Sequence, residues 1–103
     1  MRIAYPVRID RDMDNPAEAI AHFPDFGDDA DARITWQDDV EAMLRSCAIH
    51  LGTAYYTATC FGDEAPAPSA VKTQKTRRRV CGEVTCNYDL FCKHCLTVTD
   101  FAL

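Results

Sequence analysis

Basic side chains are scarce over most of this chain. Residues 1–65 hold only five (Arg2, Arg8, Arg11, Arg33, Arg45) against thirteen acids, a net −8, while residues 66–103 hold six bases and three acids, a net +3. The acidic part is a poor nucleic-acid binder by itself, because phosphates repel it, and it suits a basic protein partner. Long apolar runs are also missing. None approaches the ~20 residues of a membrane-spanning helix, so no membrane association is expected. The opening MRIAYPVRID alternates instead of forming the apolar core of a secretory signal, which points to a cytoplasmic protein. Thiols stay reduced there, so six cysteines do not imply three disulfides. There is no internal repeat, and no pair of capped amphipathic helices from which a helix-turn-helix could be built.

Catalytic patterns are equally sparse. No nucleophile–base pair or metal triad is readable, so neither an enzyme nor a cofactor is expected. Asp25, Asp28, Asp29 and Asp31 crowd one loop. EF-hand spacing is absent there, and the cluster reads as a solvated acidic surface. His22 lies between Ala21 and Phe23 on a predicted strand and reads as a satisfied, half-buried histidine. His50 lies on a predicted helix with no nucleophile near it in sequence.

What is present is patterned. The length is one domain's worth, and 48% hydrophobic content argues against wholesale disorder. Ile3, Tyr5, Val7 and Ile9 alternate with Ala4, Pro6 and Arg8, which predicts a strand with one buried face. Pro6 cannot donate to a ladder, so this reads as an edge strand or places Pro6 at a non-pairing position. A polar turn follows, then a strand over 17–23 that closes a hairpin, a loop over 24–31, and a third short strand, DARITW. Thr35 is a candidate helix N-cap with Asp38 reaching back to its amide. Trp36, Val40, Met43, Leu44, Cys47, Leu51, Ala54 and Tyr55 recur at spacings of three and four, giving one apolar stripe on a helix running into the fifties. The aromatics Trp36, Tyr55 and Tyr56 follow that spacing and read as core or interface, not as a base-stacking platform. The fold expected is α+β, a three- to four-stranded antiparallel sheet packed on a long amphipathic helix.

After Ser69 the character changes. AVKTQKTRRRV is basic without apolar period. Cys81, Cys86, Cys92 and Cys95 offer four thiolates, but with only one tight Cys-x-x-Cys pair a tetrahedral zinc site would be cramped. The spacing of Cys92 and Cys95 also suits a redox pair, though nothing sets the first at a helix start after a strand. Cys47 and Cys60 read as small buried apolar residues.

Taken in order, YPVRID, AIAHFPDF, ITWQDDVEAMLRSCAIHL and GDEAPAPS resemble the N-terminal domain of HicB antitoxins over about residues 1–70. The shared features fall on Tyr5-Pro6, Phe23-Pro24-Asp25, the helix after Thr35, and Pro66-Ala67-Pro68-Ser69. The resemblance implies a degenerate, partial RNase H-like fold without an active site. It also implies neutralisation of a HicA-like toxin, a small basic protein that cuts mRNA, and assembly into homodimers or higher oligomers. Asp25, Asp28, Asp29 and Asp31 are then expected, on charge, to contact that partner. HicB proteins usually continue into a DNA-binding module that represses their own operon. Residues 71–103 carry no recognisable one, which argues against DNA binding. This segment is expected to be an atypical basic, cysteine-rich tail without fixed structure or read in an altered frame. A transcriptional regulator acting through the tail and a small zinc-binding protein are the alternatives.

Overall fold

The computed structural model describes residues 1–89. It is α+β. The elements are β1 (Arg2–Arg11), β2 (Glu18–His22), β3 (Ala32–Thr35), α1 (Val40–Ser46), α2 (Ala48–Thr59), β4 (Gln74–Lys75) and β5 (Arg79–Asn87). The strands form one antiparallel sheet in the order β3-β2-β1-β5-β4. Among the described residues, no helix is long and apolar enough to cross a membrane.

The alternation in β1 works as expected. Ile3, Tyr5, Val7 and Ile9 are buried on the helix-facing side. The strand is central, however, not an edge. It pairs with β5 along nearly its whole length, from Arg2 opposite Asn87 to Asp10 opposite Arg79. Pro6 fits because β2 pairs only with Arg8–Arg11 and has ended before it. A proline paired with Glu83 on the other side can only sit with its nitrogen turned away from β5.

The sheet has five strands where three or four were expected. The additional pairing comes from β4 and β5, in the segment read as tail. Val80, Gly82, Val84 and Cys86 face the helices and are buried, and Arg79, Glu83 and Asn87 on the other side are exposed. The hairpin between them turns without glycine. The Thr76 hydroxyl accepts the backbone N–H groups of Arg78 (3.2 Å) and Arg79 (2.9 Å) and so closes it.

The helix begins later than Thr35. Thr35 is the last residue of β3, paired with Glu18, where a β-branched side chain is at home. Asp39 caps instead, its carboxylate accepting the Ala42 N–H at 3.1 Å. Trp36 thus lies in the connection, outside the helix. α1 and α2 are separated only at Cys47, whose N–H bonds back to Arg45 and Leu44. Beside this break, the Ser46 hydroxyl donates to the Met43 carbonyl at 2.7 Å, a back-bond that competes with the regular ladder. The stripe itself is largely inward: Met43, Cys47, Leu51 and Ala54 are buried, the first three in one core cluster with residues of β1 and β5. Gly82 lets α1 approach closely, since a Cβ there would stand 3.2 Å from Leu44 Cδ1.

Candidate functional site

Three of the four stretches singled out above meet at one place. Tyr5 projects from β1 toward the helices and its hydroxyl donates to the Pro66 carbonyl at 2.6 Å. Its ring lies 4.7 Å from that of Phe26, just beyond the Phe23-Pro24-Asp25 turn. Asp25 accepts the Ser69 backbone N–H at 2.9 Å and also the Ser69 hydroxyl. The loop after β2 and the proline-rich segment after α2 are therefore tied to each other and to β1. The left-handed backbone of Gly27, φ 81°, lets the acidic loop leave this knot, a conformation that costs a glycine little.

The four acids proposed for partner contact divide in two. Asp25 is spent on Ser69. Asp31 lies 2.9 Å from His22 Nδ1. Asp28 and Asp29, in a short 3-10 turn, are exposed and have no ion pair among the described residues. A cleft of about 290 Å³ separates this loop from α2, lined in part by Phe26, Asp29, His50 and Thr53. Beside it α2 turns a stripe to solvent, Ile49, Thr53 and Tyr56, continued by Cys60 at its C-cap, at spacings of four, three and four. Ile49 is 62% exposed and Phe61, just past the helix, 90%. No Asp, Glu, Lys or Arg occurs anywhere in α2. The result is an uncharged, partly apolar surface with an acidic rim.

The face of the sheet opposite the helices carries a second cluster that sequence reading did not find. Asp10 receives Arg79 Nε at 2.6 Å on one oxygen and Arg8 Nε at 3.0 Å on the other, with His22 Nε2 3.4 Å away. The imidazole thus bridges Asp10 and Asp31. Register assembles this group: Arg8 stands opposite His22 across one ladder, and Asp10 opposite Arg79 across the other. Partial burial pushes the Asp10 carboxyl upward, but the hydrogen bonds and charges of Arg79 and Arg8 outweigh it and hold it below the usual range. Because the folded value lies below the unfolded one, near 3.9, the contribution is complete above about pH 4 and is lost as the pH falls through the folded value. Asp10→Asn should therefore cost about 1 kcal/mol at neutral pH, the guanidiniums being partly solvated, and flatten the acid limb of stability. Urea midpoints measured from neutral to about pH 2 check this; parallel limbs for the two proteins would refute it. Asp12, held low by the Asp14 and Asn15 amides and by Arg33, keeps its own share in both proteins.

Among the described residues the cysteines do not converge. Cys81 and Cys86 are five residues apart on a regular strand and point to opposite faces of the sheet. One metal ion cannot take both as ligands while β5 is intact. Cys92 and Cys95 lie outside the described residues. Among the described residues no group of three or more His, Cys, Asp or Glu side chains could hold a metal. Cys47 is fully buried and burial pushes its thiol up to about 11, which fits a packing role; Cys60 is exposed.

Comparison with protein-family models, with curated proteins and with solved structures yields no match to this chain.

Proposed function

We propose that this chain is an antitoxin of the HicB kind, which binds a small basic RNA-cutting toxin and covers it. One observation carries the reading. Tyr5, the turn after Phe23 and the Pro66–Ser69 segment are three of the four features that resemble HicB proteins, and they form one bonded junction through Tyr5–Pro66, Tyr5–Phe26 and Asp25–Ser69. Residues that recur in a family because they hold one another in place are expected to meet in this way. The body is then a degenerate RNase H-like domain that works in the cytoplasm by occlusion, not catalysis, and assembles as a dimer or larger oligomer.

The surface beside the junction is where the toxin is placed. Interfaces pair an uncharged, partly apolar centre with a polar rim. The α2 stripe with Asp28 and Asp29 has that composition, and the rim has the sign that steers a basic partner. Asp25 and Asp31 act there indirectly, by holding the loop.

Co-expression with the toxin-like product of the neighbouring reading frame tests the proposal. The expected result is a complex that survives affinity and size-exclusion chromatography, together with restored growth. If the two proteins neither copurify nor cancel toxicity, the reading fails.

A further inference from the structure

A cleft of about 480 Å³ opens between the connection after β3 and the β4–β5 hairpin. Its apolar wall is Trp36, Val40 and Val80, and its basic wall is Arg11, Lys75 and Arg77. Nothing in the order of residues along the chain joins these two walls. Trp36 is surrounded by acids in the chain, and the basic hairpin lies some forty residues on. Folding sets the Arg11 guanidinium 4.9 Å over the indole. Arg11 also donates Nε to the Pro16 carbonyl at 2.7 Å and Nη1 to the Arg77 carbonyl at 3.3 Å. It thereby fixes the β1–β2 turn and the hairpin on either side of the ring, with donors left over. The Trp36 backbone is held in turn by its amide N–H, which donates to the Ala17 carbonyl at 2.9 Å.

The charges here are unbalanced in a telling way. The chain has 16 acids, yet Arg11, Lys75, Arg77 and the adjacent Arg78 have no ion pair among the described residues. Arg79, their neighbour, is paired with Asp10. Three cations in the wall of one cleft, with Arg78 next to them in the chain, raise the local positive potential and draw a multivalent anion. Asp38 is the acid in the wall, so a bare polyanion is not the best complement. A ligand with phosphates at one end and a flat, hydrogen-bonding ring at the other fits both walls, and the cleft is of small-ligand size.

We propose that this cleft binds a nucleotide, with Lys75 and Arg77 on its phosphates and the base along Trp36, Val40 and Val80. Asp38 is placed to accept from a base amino group. The site does not depend on the antitoxin reading, since it lies at the other end of the sheet from the Tyr5 junction. The nucleotide can be free or part of a single strand, because both present a base and a phosphate.

Trp36 is the single tryptophan, so its fluorescence reports the site directly. The intact chain is titrated with ATP, with a short single-stranded oligothymidylate, and with inorganic tripolyphosphate. A saturable change with ATP or the oligonucleotide is expected. The double variant Lys75→Glu, Arg77→Glu should weaken it by about tenfold to a hundredfold, without moving the melting temperature, since both side chains are exposed. Tighter binding of the oligonucleotide, with log K falling at a slope of about −1.4 to −2 against log salt, assigns a strand. Tighter binding of ATP assigns a free nucleotide. The proposal is overturned by silence with both probes, by tripolyphosphate binding as well as ATP, or by affinity unchanged in the double variant.

Discussion

Val84→Asp is expected to leave the chain unfolded at room temperature, while Thr85→Asp, one residue on, leaves it folded. Val84 is 1% exposed on the helix-facing side of β5, across from Tyr5. The substitution forfeits about 1.5–3 kcal/mol of apolar burial. It also sets a carboxylate among Gly82, Cys86 and Tyr5, none of them a cation. Burying an unpaired polar or charged group costs several kcal/mol more. Domains of this size are stable by about 5–15 kcal/mol in all, so the combined loss is of the order of the whole. Thr85 faces the other way, and its hydroxyl already receives Arg2 Nη2 at 3.3 Å. An aspartate there gains a cation neighbour and should shift stability by no more than about 0.5 kcal/mol. Circular dichroism and urea melts separate the two outcomes. Two equally folded variants would mean that β5 is not a core strand.

That pair of variants also bears on why β5 was not legible in advance. Its alternation is regular: Val80, Gly82, Val84 and Cys86 against Arg79, Cys81, Glu83, Thr85 and Asn87. The pattern hides because two of its four inward positions are not read as apolar. Glycine suggests a break and cysteine suggests chemistry, yet cysteine is among the most frequently buried residue types. Ile3, Tyr5, Val7 and Ile9 make the same alternation in β1 visible because each is plainly hydrophobic. The helical stripe from Val40 to Tyr55 was legible for the same reason, with the error confined to its start. Thr35 and Asp39 are both acceptable caps, and pairing of Thr35 with Glu18 in β3 decided between them. The Asp10–Arg79 contact spans 69 residues, and no spacing rule reaches that far. It exists only because β5 returns beside β1 in a particular register. The Trp36 cleft is hidden in the same sense, since its two walls come from connections that only the sheet order brings together.

Register and packing leave a broad uncharged surface on α2, and if the proposed antitoxin role holds, Ile49→Asp there should weaken neutralisation of the basic toxin more than other surface changes. Ile49 is 62% exposed, so the folded chain tolerates the substitution, and melting should move little. In a complex the same side chain would lie at the centre of the contact. A carboxylate there is desolvated among apolar neighbours, a loss of about 2 kcal/mol or more, which is roughly thirtyfold in affinity. The effect should sit in the dissociation rate, because short-range packing is what has been removed. Asp28→Lys with Asp29→Lys should act differently. Both residues are on the exposed rim, so reversing them changes the field that a basic partner meets on approach. Association should slow by about tenfold at low salt, and the difference should shrink as salt screens it. Surface plasmon resonance against the toxin-like product proposed as the partner, at low and high salt, distinguishes the two signatures. If both variants bind and neutralise like the parent, the α2 stripe and its acidic rim are not the toxin-binding surface.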